Sequence, residues 1–394
     1  MGLPEGRPLL FSAKFRSHPG YRYNVGTMAR SHHSDSASKN CSMEDTASIE
    51  VQICAADERL APAGLAHSRH RHPGGAKLRL KQAGVPREEL TGPEPTPRMA
   101  SNGVNFLPVP GWDTLGGRDK GWLWNGFSTR IGGVSTVYAP EGELGELNLG
   151  FTADDACEAI KENRRRLAEA VTGSRETPLA ALKQIHSNRI LVASRADLAR
   201  PMPPKADGLL TDEPGLLIGV QTADCIPVLV ADRRRRAVGA FHAGWRGTVA
   251  RIVECGVGRM RMEFGSRPED LVAAIGPGVG LCCYAVGEEV RDQFESQFAY
   301  AAELFQEVSD SDPIRTRYPM LFLTQRAPGH SPIGPSTHLN LVEANRRQLL
   351  DAGLKPGSIQ SIGGCTSCHQ RLFFSYRASG GRAGRMLAVI GIRP

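Results

Sequence analysis

The chain has 394 residues with 40% apolar and 23% charged side chains, enough apolar content for a sizeable core and too much for a wholly disordered polymer. No run approaches the roughly 18 consecutive apolar residues that span a bilayer, which excludes a membrane-spanning helix. The net charge of +7 invites a nucleic-acid reading, but it is unevenly spread: residues 1–98 carry 14 Lys/Arg against 10 Asp/Glu, and the remainder is nearly balanced.

Residues 1–98 lack sustained periodicity. Segments such as SHHSDSASKN and HSRHRHPGG mix Ser, His, Pro, Gly and charge in a way that builds no continuous core. The stretch 1–40 has only Glu5 and Asp35 as acids, beside six Lys/Arg and six Ser, a composition compatible with an organelle transit peptide. A disordered basic leader, or translation upstream of the true start, is the favoured expectation, with Met28 and Met99 as alternative starts. The apolar stretch Leu9–Ala13 is shorter than the ~7–15-residue core of a secretory signal, so the expected location is cytoplasmic.

From about residue 104 the pattern is globular, and one domain over 104–394 is expected. Asp154–Gly173 opens with acids, repeats apolar residues at helical spacing and ends on Gly, which predicts a helix. RILVAS, LLIGVQ, IPVLVAD and AVGAFHA predict adjacent short strands, with Arg233–Arg236 as a solvated hairpin turn between the last two. A helix over Gly247–Phe264, a strand LVAAIG, helices over Glu288–Phe298 and Leu341–Ala352, and a closing strand MLAVIGI follow. Strands and helices alternate irregularly, which favours a mixed sheet over a strictly parallel, doubly wound one.

Nine cysteines without a secretory signal argue for reduced thiols. The adjacent pair Cys282-Cys283 reads as two plain thiols. Cys365-Thr-Ser-Cys368-His369 matches the C-x-x-C-H pattern of haem attachment, but such proteins are usually exported. A zinc knuckle there needs a second ligand pair, and none stands at similar spacing. A more productive set lies at strand ends: His186 before RILVAS, Cys225 before IPVLVAD, and His242 at the end of AVGAFHA. A thiolate and two imidazoles suit zinc or copper with a position left open for substrate. A Cys–His pair equally suits a nucleophile and its base, and gaps of this size fix no geometry.

Read together, FSTRIGGVS (127–135), LNLGF (147–151), KQIHS (183–187), QTADCIPVLVAD (221–232), FHAGWRGT (241–248), IGPGVGLCCYAVGEEV (275–290), LNLVEANRRQL (339–349) and FFSYRA with GRMLAVIGI resemble the YfiH-like family, also described as multicopper polyphenol oxidases or laccase-domain proteins. The match covers essentially all of residues 104–394 and none of 1–98. The resemblance implies an α/β (α+β) fold, a mixed-sheet sandwich with outer helices, similar to the catalytic domain of cytotoxic necrotizing factors. It implies that His186, Cys225 and His242 surround a metal, zinc with copper as the alternative. It also implies phosphorolysis of inosine, guanosine, adenosine and methylthioadenosine, together with deamination of adenosine. Purine nucleosides and phosphate are then the partners, not nucleic acid or membrane; oligomeric state is left open.

On that basis Arg130 and Arg246 are the expected phosphate holders, because guanidinium binds oxyanions bidentately and glycines beside both allow close approach. Asp224 is expected to orient His242 or a metal-bound water. Two alternatives stand beside the phosphorylase: a cysteine hydrolase or peptidoglycan-precursor editing enzyme with Cys225 as nucleophile, and a copper polyphenol oxidase. The five histidines outside the leader are few for multicopper chemistry.

Overall fold

The structure is a computed structural model that describes residues 84–115, 121–139, 145–199, 202–309 and 335–394. The expectations for residues 1–83, including the transit-peptide reading, Met28 and the His-rich segments, lie outside the described residues. In the first part of the chain the strands are β1 (Val85–Pro86), β2 (Arg98–Met99), β3 (Asn105–Leu107), β4 (Leu123–Ser128) and β5 (Ile131–Ser135), followed by helix α1 (Cys157–Thr172). Next come β6 (Leu179–Ala181), β7 (Ile190–Val192), β8 (Gly208–Thr211), β9 (Leu217–Thr222), β10 (Ile226–Asp232) and β11 (Val238–Ala243). Helices α2 (Trp245–Val249) and α3 (Ile252–Phe264), strand β12 (Leu271–Ile275) and α4 (Glu288–Gln297) lead to β13 (Phe305–Ser309) and β14 (Ser336–Leu339). The chain closes through α5 (Leu341–Asp351), β15 (Ile359–Ser361) and β16 (Met386–Ile392).

Two six-stranded sheets, ordered β15-β12-β10-β11-β8-β7 and β2-β3-β4-β16-β9-β6, and a small sheet β1-β13-β14 each combine parallel and antiparallel neighbours. The fold is therefore mixed α+β, as the irregular alternation implied. The two large sheets share one core: Leu229, Ala231, Val238 and Ala240 meet Ile218, Val220, Ala388 and Ile390. The alternate residues of the first sheet, Val228, Val230 and Phe241, pack with Ile252, Val257, Phe294 and Leu349 of the helices. Leu217, Leu387 and Val389 of the second pack with Leu167 and Ala168 of α1. Strands covered on both faces need no polar alternation, which is why IPVLVAD and MLAVIGI are continuous apolar runs.

Two expectations are corrected. The folded region begins before residue 104: β1 runs parallel to β13 and β2 pairs with β3, so residues 84–98 are not part of a leader. Two-residue edge strands are too short to carry a periodicity of their own. The helix expected over Gly247–Phe264 starts earlier and is broken, because Arg251 takes a left-handed φ of 59° between α2 and α3. Its guanidinium is fixed there by Glu254 at 2.8 Å and the Gln297 carbonyl at 2.8 Å. The Arg233–Arg236 hairpin turn is present, with the Asp232 carboxylate accepting the amides of Arg234 and Arg235 at 2.8 and 2.9 Å.

Helix α3 offers a test of the packing. A Cβ at Gly256 would stand 2.4 Å from the buried Phe241 ring, whereas one at Gly258 meets nothing within 4 Å. Gly258→Ala should stabilise by about 1 kcal/mol through helix propensity. Gly256→Ala should reverse the sign and cost about 1–3 kcal/mol through overpacking, as read by chemical denaturation.

Candidate metal centre

The site is assembled by strand register. Strands β8 and β11 pair antiparallel with Gly208 opposite Phe241, so the next step sets Asp207 beside His242, and the His242 amide donates to the Asp207 carbonyl at 2.8 Å. Strands β11 and β10 pair with Ala243 opposite Ile226, and one further step brings Gly244 to Cys225. A Cβ at Gly244 would lie 2.8 Å from the Cys225 sulfur and 3.2 Å from the His186 ring, so only glycine leaves the space between them open.

His186 reaches the same point from the loop before β7. Its left-handed φ of 58° is uncommon for a non-glycine residue and is held by neighbouring hydrogen bonds. The Asp207 carboxylate accepts the backbone amides of Ile185, His186 and Ser187 at 3.2, 2.9 and 2.7 Å and the Ser187 hydroxyl at 2.7 Å. The same carboxylate accepts a hydrogen bond from His242 Nδ1–H at 2.9 Å. The ligand atoms of His186, Cys225 and His242 all lie within 4.8 Å of one another, with Cys225 Sγ 3.9 Å from His186 Nε2.

The electrostatics follow from burial against charge. Burial alone would raise the Asp207 carboxyl, but hydrogen bonds from His242 and Ser187 outweigh it and bring the pKa down to about 2. Burial disfavours a charged His242 ring, yet the Cys225 sulfur and Asp207 carry its pKa up to about 9. Burial also disfavours the Cys225 thiolate, and the charge of His242 with the hydrogen bond of His186 lowers its pKa to about 6. The metal-free centre thus pairs a Cys225 thiolate with a His242 imidazolium anchored by a buried carboxylate, with the His186 ring beside them.

Asp224 is not the partner of His242. Its carboxylate accepts the hydroxyls of Thr366 and Ser375 at 2.6 and 2.7 Å and the Arg377 amide at 2.6 Å, and the residue adopts φ 93°. It fixes the backbone next to Cys225 by tying it to the loop after β15; Asp207 is the partner of His242. Arg130 has several protein partners. It pairs with Glu146, donates to the carbonyls of Gln370 and Tyr138, and stacks on Phe374 at the wall of a neighbouring cleft of about 440 Å³. Arg246 is exposed at the start of α2, stacked on Trp245 at 4.2 Å, with no carboxylate partner among the described residues.

Sequence reasoning missed Asp207, Tyr284 and Arg377. The Arg377 guanidinium lies 5.2 Å from the Tyr284 ring centre and donates to the Ala285 carbonyl at 3.0 Å. Burial pushes the Tyr284 phenol up, and Cys225 and Asp224 add to that effect while Arg377 and Arg246 oppose it, so the hydroxyl stays protonated. The signal for Asp207 was an acid immediately before a strand whose neighbour ends in His242, visible only once the pairing is known.

Because the Asp207 pKa is depressed, its contribution to stability is present above the ordinary aspartate pKa and is lost as pH falls towards 2. Asp207→Asn brings two N–H donors towards a set of donors and should cost about 2–4 kcal/mol, with a flatter acid limb below pH ~4, in denaturation followed against pH. In chelator-treated, reduced protein, Cys225 should react with iodoacetamide with an apparent pKa near 6, and His242→Ala should move that pKa upward. Alkylation rates at Cys225, followed by peptide mass spectrometry, read both.

Residues 125–393 match the family model described as multi-copper polyphenol oxidoreductase laccase. A purine nucleoside phosphorylase of Deinococcus radiodurans is 37% identical over 266 residues, covering 68% of this chain and 88% of that protein. The purine nucleoside phosphorylase YlmD of Geobacillus stearothermophilus is 34% identical over 285 residues, covering 70% and 95%. The crystal structure of YlmD from Geobacillus stearothermophilus is similar with a TM-score of 0.59 at 30% identity, over 76% of this chain and 100% of that one. The Bacillus licheniformis protein YfiH gives a TM-score of 0.60 at 29% identity, over 75% and 99%. With the model matched over residues 125–393 and relatives above 30% identity covered over most of their length, the chain belongs to the YfiH-like family, covered by the laccase-type multi-copper polyphenol oxidoreductase model.

Proposed function

We propose that the protein is a zinc-dependent purine nucleoside phosphorylase that also deaminates adenosine. Inosine, guanosine, adenosine and methylthioadenosine are the substrates, with phosphate displacing the base at the anomeric carbon to leave the sugar 1-phosphate. In deamination, water replaces the purine amine and ammonia leaves. The observation that carries the reading is the convergence of His186, Cys225 and His242, in a chain related to proteins named purine nucleoside phosphorylases.

The residues fit the metal. One thiolate and two imidazoles form a three-ligand set of the kind catalytic zinc sites use, with a coordination position to spare. His242 donates an Nδ1–H hydrogen bond to Asp207 and so presents Nε2, and the absent Cβ of Gly244 leaves room. Zinc held by these groups supplies Lewis acidity, the chemistry that activates water for attack on a purine carbon.

The chain's own residues account for the rest. Arg246, unpaired by any carboxylate among the described residues, holds phosphate for attack on the anomeric carbon. Arg130 is withdrawn from that role by Glu146. Tyr284 remains a neutral phenol among Cys225, Asp224, Arg377 and Arg246 and offers an O–H to the substrate. A cytoplasmic setting is part of the same reading, and the described cysteines are free thiols. Among the described residues, no helix is long and apolar enough to cross a membrane.

One observation favours a second reading. A thiolate paired with an imidazolium that a buried carboxylate orients is also the arrangement of a cysteine nucleophile with its base, as a hydrolase or peptidoglycan-precursor editing enzyme requires. A covalent substrate adduct on Cys225 in metal-free protein would favour it. Among the described residues, histidine placement does not favour copper polyphenol oxidation. His338 bonds the Leu281 carbonyl and Ser336, and His369 lies 3.9 Å from Glu94, so neither joins the centre.

Zinc-loaded protein supplied with inosine should release hypoxanthine only when phosphate is present, and with adenosine should also release ammonia. Cys225→Ala and His242→Ala should each lower both rates by about 100-fold or more, beyond the ~10–100-fold that loss of an outer-shell partner costs. Arg246→Ala should raise the KM for phosphate by about 10-fold, the loss of one charge-assisted contact. Wild-type product release by the two ligand variants would refute the assignment.

A further inference from the structure

The fold builds a second sulfur centre that the reaction does not use. Cys282 and Cys283, in the turn after β12, meet Cys365 and Cys368, in the loop after β15, so that all four sulfurs lie within 4.8 Å of one another. Cys368 Sγ stands 3.5 Å from Cys282 Sγ and 3.4 Å from Cys283 Sγ. Zinc–sulfur bonds of about 2.3 Å arranged tetrahedrally place sulfurs about 3.8 Å apart, close to these separations. A disulfide requires about 2.05 Å, and none of the four cysteines forms one. The second ligand pair that the C-x-x-C motif lacked at similar spacing is therefore supplied by the adjacent cysteines some 85 residues upstream.

Three features around the sulfurs belong to a thiolate–metal site. The Gly280 amide donates to Cys365 Sγ at 3.2 Å, a hydrogen bond that stabilises a coordinated thiolate. A Cβ at Gly280 would press on Cys365 Cβ at 3.1 Å and on Cys282 Sγ at 3.2 Å, so the backbone approaches the sulfurs as closely as a glycine permits. Arg87 donates to Cys283 Sγ at 2.9 Å and lies 3.9 Å from Cys368 Sγ. Four thiolates around a divalent ion carry a formal charge of about −2, and a guanidinium in contact with two of them offsets part of it.

We propose that Cys282, Cys283, Cys365 and Cys368 bind a structural zinc ion, separate from the centre at His186, Cys225 and His242. With all four positions taken by protein sulfur the site is closed, as structural zinc sites are, and has no place for substrate. Its work is to join three segments: the stretch containing Arg87 and Thr91, the turn at Gly280–Cys283, and the loop at Cys365–His369. That loop includes Thr366, whose hydroxyl holds Asp224 next to Cys225 at 2.6 Å. The zinc thereby braces the backbone from which the catalytic thiol projects.

The test uses the full chain purified under reducing conditions, with metal content measured directly and Co²⁺ as the spectroscopic probe. The triple variant His186→Ala/Cys225→Ala/His242→Ala removes the other centre while leaving the four cysteines intact. It is expected to retain about one equivalent of zinc and, after chelation, to bind one Co²⁺ with the visible spectrum of a tetrahedral tetrathiolate. Adding Cys368→Ser should abolish that spectrum. A triple variant that keeps no zinc and gives no tetrathiolate spectrum overturns the proposal. So does a Cys368→Ser variant with an unchanged spectrum, or a disulfide among the four cysteines in metal-free protein as purified. A triple variant without metal beside wild-type protein with one equivalent would refute this site alone and leave the functional reading standing.

Discussion

The Asp207 carboxylate is the constraint on which the centre depends. It is fully buried, yet five donors converge on it: the amides of Ile185, His186 and Ser187, the Ser187 hydroxyl and the His242 ring. A buried charge of this kind is stable only when its lone pairs are filled, and here they are filled by the groups that must be positioned. One acid thus fixes the unusual backbone of His186 and chooses which nitrogen of His242 faces the Cys225 sulfur. The remaining members follow from pairing, since the same β8–β11 register that brings Asp207 to His242 continues through β10 to Cys225.

A second carboxylate plays the corresponding part on the other side. Asp224 collects Thr366, Ser375 and the Arg377 amide, so the turn carrying Cys225 is tied to the loop between β15 and β16. The two acids have separate roles, Asp207 orienting the imidazoles and Asp224 holding the thiol's backbone. The resulting thiolate–imidazole set is suited to binding a metal and to nucleophilic chemistry alike. The three-residue ligand set, and Arg246 with no carboxylate partner among the described residues, are what favour the metal-assisted phosphorolysis proposed above.

Much of this was legible in the sequence, and the rest was hidden for identifiable reasons. Long elements buried on one or both faces, such as α1, β10, β11 and β16, announce themselves by apolar runs and by punctuation such as Gly173, which caps α1 in a left-handed conformation. The candidate ligands His186, Cys225 and His242 were legible as motifs, but gaps of 39 and 17 residues say nothing of distance until register supplies it. Asp207 and Asp224 are interchangeable on paper, each an acid next to a strand. Only the β8–β11 pairing shows which one faces the histidine. The cysteine cluster was missed for a related cause, because a vicinal pair and a C-x-x-C pair look unrelated when they lie far apart in the chain. The strands β1 and β2 were missed because two residues cannot display a period.

The central claim is that one centre, built by His186, Cys225 and His242, cleaves the nucleoside bond with phosphate as acceptor. The most direct measurement is ³¹P nuclear magnetic resonance of zinc-loaded protein turning over inosine in phosphate. A ribose 1-phosphate resonance should grow in step with hypoxanthine and be absent with His186→Ala. Hypoxanthine accumulating with free ribose and no change in the phosphorus spectrum would contradict the claim.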